Sequence, residues 1–212
     1  MAITEQVFKL QCGLNHFVFE RRGLSYTRSI WAYIPRADDA LGQHEHVELD
    51  TEREKWLLNF CRALDDEVRE IYYAQTPKES KVEAIDILHF AVSIAVLAGV
   101  RAEPWLLFPS KGPEEFYTRR QLIFEIDNQR RKIQNELNWK WWSDYEKPDA
   151  AKVRAHVHLL FSALRNLFGF LNMTENDILS VYEQKHRVNK ERQEKGYARS
   201  TKTEDDNEGI RV

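Results

Sequence analysis

Four carboxylates stand in two pairs, Glu67-Val-Arg-Glu70 and Glu83-Ala-Ile-Asp86, with the acids of each pair three residues apart. On an α-helix that spacing puts both side chains of a pair on one face. Two such pairs on adjacent antiparallel helices can surround a hard divalent cation with oxygen ligands, which is magnesium chemistry. Without a cation the four repel one another, and they do so beside Ile71, Ile85, Ile87 and Leu88, where uncompensated charge is costly. Acidic pairs three apart also occur on solvated helix faces, so the acids alone leave both readings open.

The elements that must position them follow from periodicity and punctuation. Val7, Leu10, Leu14, Phe17 and Val18 form a helical stripe over residues 3 to 20, closed by Arg22-Gly23. Residues 24 to 49 are irregular and read as a connection. A second helix starts near Asp50-Thr51, whose oxygens suit an N-cap, and runs to about Ala74. A third runs from about Glu79 to Gly99, turning almost wholly apolar as a central buried helix does. Residues 101 to 113 carry Pro104, Pro109, Gly112 and Pro113 and read as a loop. Further helices are predicted from about Pro113 to Asn138, from Asp149 to Phe170, and from Thr174 to about Lys195, the last with a Thr-x-x-acid start. The polar stretch 198–212 is expected to be a disordered tail.

Composition agrees with an all-α bundle of about six helices forming a single domain over residues 1–197. Among 212 residues only 8 are Gly and 6 Pro, too few for a strand-and-turn architecture. A net charge of −3 disfavours binding to a nucleic-acid backbone, which needs a basic footprint. Cys12 and Cys61 are the only cysteines, and no basic cluster followed by an apolar run opens the chain, so neither a disulfide framework nor a secretory signal is indicated. The longest apolar run, Phe90 to Val100, is too short to cross a bilayer. A small partner and a cytoplasmic setting are therefore expected.

The carboxylate pattern resembles the all-α nucleoside triphosphate pyrophosphatases, the superfamily that includes MazG-like enzymes and the dimeric dUTPases. Three blocks narrow it to the dimeric dUTPases, in the order that family has them. Lys81 to Phe90 is similar to the segment in which the second carboxylate pair is followed by His-Phe. Gln11-Cys12-Gly13-Leu14-Asn15 resembles the family's Gln-x-x-Leu-Asn. Tyr182-Glu183-Gln184-Lys185, continuing through Asn189, Arg192-Gln193 and Gly196-Tyr197, looks like its phosphate-binding stretch.

The resemblance implies magnesium-dependent hydrolysis of a deoxypyrimidine nucleoside triphosphate, dUTP to dUMP and pyrophosphate, with dUDP as a further substrate and a homodimer as the working form. It implies Glu67, Glu70, Glu83 and Asp86 as metal ligands, with Glu67 also taking a proton from the attacking water. Phe90, one turn beyond Asp86, would crowd a ribose 2′-hydroxyl. Gln11 and Asn15, four apart on one face, offer amides to a pyrimidine edge. Lys185, Asn189, Arg192 and Lys195 would present a polar, mostly basic face to the phosphates, with Tyr197 closing over the nucleotide. Taken without the resemblance, Phe90 reads as core, the two amides as solvent-facing, and the basic face as paired with Glu191 and Glu194.

One departure concerns the base. The family's tryptophan-rich box between the carboxylate pairs is missing, Tyr72, Tyr73 and Gln75 standing there instead; Trp139-Lys140-Trp141-Trp142 comes much later and reads as aromatic core or dimer contact. A dCTP or other deoxynucleotide pyrophosphatase is the alternative within the superfamily. Outside it, Asp86-x-x-His89 and Glu183-x-x-His186 have the acid-to-histidine spacing of a di-iron bundle, although that pattern draws its other glutamates from two separate helices. A non-catalytic helical interaction protein is a third reading. His44-Glu45-His46 is a weak metal motif without further spaced ligands.

Overall fold

The computed structural model describes residues 2–24, 49–107, 117–137, 142, 148–196, 207 and 209–212. Among these residues there are six α-helices and no strand: α1 (Ile3–Arg21), α2 (Thr51–Tyr73), α3 (Pro77–Ala98), α4 (Arg119–Glu136), α5 (Ala150–Phe170) and α6 (Glu175–Glu194), with a 3₁₀ turn at Pro104–Leu106. The all-α bundle expected from composition is thus the fold.

Five of the six described helices start where cap chemistry dictates, α1 alone following a residue, Ala2, with no capping side chain. The Asp50 carboxylate accepts from the Arg53 N–H at 2.8 Å, and Asp149 accepts from the N–H groups of Ala151 and Lys152. Thr76 with Glu79, Thr118 with Gln121 and Thr174 with Asp177 form reciprocal capping boxes. The box at Thr118 starts α4 at Arg119, six residues later than Pro113 suggested; residues 108–116 lie outside the described residues. Gly99 ends α3 in the left-handed conformation, φ 75°, where a side chain would be strained. Arg119 donates to the carbonyls of Ile71 and Ala74, satisfying the open C-terminal end of α2 from the first residue of α4.

α3 is the hub. Between Ser80 and Val100 only Lys81 and Phe90 escape full burial, and the helix packs against α1, α2, α5 and α6. Three residues join α2 to α3, which makes the two an antiparallel hairpin and sets the two acidic pairs side by side. Of the stretch 198–212, residues 207 and 209–212 are described. Ile210 is 3 % exposed, and both backbone groups of Arg211 are bonded to the Gln184 side chain on α6, contacts that a polar local composition does not reveal.

Candidate active site

A cavity of about 450 Å³ opens between α1, α2, α3 and α6. Each helix lines it with one stripe: Gln11, Leu14, Asn15, Val18, Phe19 and Arg22 from α1 and its C-cap, Trp56, Phe60, Glu67 and Glu70 from α2, Asp86, His89 and Phe90 from α3, and Lys185, Asn189, Arg192 and Gln193 from α6. The intervals of three, four and seven are those of one helix face.

Two of the acids that line the cavity, Glu67 and Glu70, converge with Glu83, which does not line it. Glu67, Glu70 and Glu83 each place a carboxylate oxygen within 4.8 Å of the other two, although Glu83 is only 8 % exposed and Glu70 is open to solvent. An oxygen-only group of this kind suits a hard cation rather than a soft one. Asp86, one turn on from Glu83, is turned differently: its Oδ2 lies 2.6 Å from the Lys185 ammonium. Lys185 is 2 % exposed and also donates to the Asn207 Oδ1 at 3.1 Å. A buried ammonium needs an anion beside it, and Asp86 supplies one.

The α1 amides are buried, Gln11 at 4 % and Asn15 at 6 % exposure, in a closed polar network. Gln11 Oε1 accepts from the Tyr182 hydroxyl at 2.7 Å and from His89 Nδ1 at 2.6 Å; Gln11 Nε2 donates to Asn15 Oδ1 and to Ser93 Oγ. Asn15 Nδ2 also donates to Ser93 Oγ, whose own proton goes to the His89 carbonyl. Since a carbonyl oxygen only accepts, His89 carries its proton on Nδ1, and Nε2 keeps its lone pair. That Nε2 is buried with no hydrogen-bond partner among the described residues. Burial, then the nearby charges of Lys185 and His186, hold the imidazole well below its usual pKa. Its ring stacks on Tyr182, centroids 4.1 Å apart, whose phenol burial pushes well above the usual value.

The network divides two residues that spacing treats alike. Gln11 spends both N–H groups and both lone pairs on protein partners, so it holds the site together. Asn15 keeps one N–H and one lone pair for whatever enters the cavity.

Phe90 contributes to an aromatic wall that sequence reading missed. Phe19 meets Trp56 edge-on at 4.5 Å, Trp56 lies 6.5 Å from Phe60, and Phe60 lies 6.3 Å from Phe90. The spacing Trp56, Phe60, Glu67, Glu70 was a readable signal, since all four fall on one face of α2. Asn207, beyond the last helix, also reaches the cavity and had no local signature.

Of the basic face, Lys185, Asn189 and Arg192 line the cavity while Lys195 does not. Lys195 caps the end of α6 with an 80 % exposed side chain beside Glu191. Ten residues at 3.6 per turn leave it about 80° away from Lys185 around the helix, which is the reason. Tyr197, Trp139, Lys140, Trp141 and His44-Glu45-His46 lie outside the described residues; Trp142 is 61 % exposed. The acid-histidine pair of α6 faces α1: Glu183 accepts from Gln6 at 3.0 Å and His186 donates to the Leu10 carbonyl at 3.1 Å. The acidic group contains no histidine.

A family model described as dUTPase matches residues 3–197. The chain belongs to the dUTPase family. It is accordingly a nucleoside triphosphate pyrophosphohydrolase that acts on dUTP. The matched stretch contains the four acids, both α1 amides, Phe90 and the α6 face, and it stops short of Asn207. Neither the curated proteins nor the solved structures gave a match. Among the described residues, no helix is long and apolar enough to cross a membrane.

Proposed function

We propose that the enzyme hydrolyses dUTP to dUMP and pyrophosphate with magnesium held by Glu67, Glu70, Glu83 and Asp86. The observation that carries this is the convergence of three carboxylates, two of which line a cavity together with a fixed amide, aromatic rings and cations. Magnesium, when bound, neutralises triphosphate charge and polarises the phosphoryl oxygens. Glu67, half-buried beside Glu70, takes the proton of the attacking water. Lys185, Asn189 and Arg192 bind the phosphates from the α6 side, Arg192 by forked contacts.

Asn15 reads the base. Gln11 donates to its oxygen and Ser93 accepts from its nitrogen, so the amide cannot flip, and the remaining donor and acceptor meet a pyrimidine edge in one fixed order. A site of this kind rejects a base with the groups reversed, which favours dUTP over dCTP. Phe90 packs against the sugar and excludes the 2′-hydroxyl, and dUDP is a second substrate. Phe124, 68 % exposed on α4, and Leu159, 49 % exposed on α5, support a homodimer burying that face. The enzyme works in the cytoplasm, a reading supported by the lack of a membrane-spanning helix among the described residues.

Replacing Glu70 by Gln tests the reading. Pyrophosphate release should fall at least a thousandfold while the helical circular dichroism spectrum stays unchanged, and calorimetric titration should show magnesium affinity lost. A Glu70→Gln enzyme with near-normal turnover would remove the acids from the reaction.

A further inference from the structure

We propose that Asn207 is a positioning residue of the phosphate site, delivered from the C-terminal segment to hold the Lys185 ammonium in the cavity. The inference rests on the dUTPase reading for its kinetic consequence and on the structure alone for the contact. Nothing in the family match assigns it, because the match ends at residue 197.

Lys185 has three N–H groups. One meets Asp86 Oδ2 at 2.6 Å and one meets Asn207 Oδ1 at 3.1 Å, leaving a third for a phosphate oxygen. The two partners differ in kind. Asp86 is a carboxylate whose charge is claimed by a metal ion whenever it serves as ligand, and its hold on Lys185 then weakens. The Asn207 carbonyl is neutral and keeps its dipole on the ammonium in either case. A long, rotamer-rich lysine loses less freedom on meeting its substrate if one partner already fixes its end.

Asn207 is itself anchored, and by α6. The Gln184 side chain donates to the Arg211 carbonyl at 3.0 Å and accepts from the Arg211 N–H at 2.9 Å. Ile210, 3 % exposed, is seated in the core, and its N–H closes a turn back to the Asn207 carbonyl at 3.1 Å. One helix thus carries the anchor point at Gln184 and the target at Lys185 in consecutive residues. A segment that merely covered the surface would not need an amide aimed at a buried ammonium.

Asn207→Ala should lower kcat/KM for dUTP about tenfold, the scale of one hydrogen bond to a charged group, and leave the preference for dUTP over dCTP unchanged. Ile210→Asp, which unseats the anchor, should produce the same loss. In a Lys185→Met background Asn207→Ala should cost nothing more, because its effect passes through the ammonium. Wild type, Asn207→Ala, Lys185→Met and the double variant, unfolded in urea without metal, should show non-additive losses, a readout that holds whatever the enzyme turns over. Wild-type kcat/KM in Asn207→Ala, or an equal loss in the Lys185→Met background, would overturn the role; additive unfolding energies would overturn the contact itself. Absence of dUTP turnover in the unsubstituted protein, with coupling intact in urea, would instead refute the functional reading and spare the contact.

Discussion

Gln11→Leu separates a structural amide from a base-reading one. Leucine nearly matches glutamine in volume, so the change strips polar groups without opening a large cavity. It leaves the Tyr182 hydroxyl and the His89 Nδ1–H without their shared acceptor, and it takes one donor each from Asn15 and Ser93. A buried donor stranded in this way costs about 1–3 kcal/mol, so two cost about 2–6 kcal/mol. Moving the His89 proton to Nε2 brings no relief, because that nitrogen is buried without a partner as well, so the expected loss stays at about 2–6 kcal/mol. Against a total stability of about 5–15 kcal/mol that is readily measured by urea unfolding followed by circular dichroism. Tyr182→Phe removes one of the stranded donors in advance. Combined with Gln11→Leu it should therefore cost about 1–2 kcal/mol less than the two changes added separately. Activity should fall with Gln11→Leu because Asn15 loses its fixed orientation. A loss below about 0.5 kcal/mol, the range of ordinary surface substitutions, or strict additivity with Tyr182→Phe, would show that the network does not exist in solution.

The acids should not respond alike to neutralisation. In metal-free protein Asp86→Asn leaves the Lys185 ammonium buried beside an amide and should destabilise by about 3 kcal/mol or more, whereas Glu83→Gln relieves repulsion among three converging carboxylates and should be neutral or stabilising; equal effects in chelator-treated urea unfolding would contradict the Asp86–Lys185 pair. The depressed pKa of His89 makes the unfolded chain bind the proton first, so its contribution is fully present above about pH 6.5 and is lost as the pH falls through that value. Between pH 7.5 and 5.5 wild type should lose about 1.4 kcal/mol more than His89→Phe, a comparison in which the similarly depressed His186 and His158 cancel; identical slopes would place His89 in solvent. Phe90→Ala should narrow the ratio of kcat/KM for dUTP over UTP, and an unchanged ratio in a folded variant would take the ring away from the sugar.

Helix ends were legible because capping chemistry is local. Asp50, Thr174 and Gly99 could be read at the residue, and the apolar run after Asp86 announced the central helix. The site was legible as far as spacing carries: Gln11 and Asn15, the two acidic pairs, and Lys185, Asn189 and Arg192 each share a face because helical geometry makes them do so. What spacing does not carry is the partner on another helix. Four acids that look equivalent in sequence become three converging carboxylates and one ion pair only once α6 packs against α3. Two equivalent amides become a saturated one and an available one only when Tyr182, His89 and Ser93 arrive around them. Lys195 was a matter of phase, three residues past Arg192 yet already rotated off the face. Asn207 and Ile210 sit in a polar stretch whose composition predicts disorder, and what holds them is the Gln184 side chain and the core.

Metal-dependent hydrolysis of dUTP is to be measured as pyrophosphate release from a panel of dUTP, dCTP, dTTP, dATP, dGTP and UTP, each with magnesium and with the metal chelated. Release should be rapid from dUTP, at least a hundredfold slower from dCTP and UTP, and absent above background without a divalent cation. Comparable rates on dUTP and dCTP would contradict the base reading assigned to Asn15, and undiminished dUTP hydrolysis under chelation would contradict the role given to the converging carboxylates.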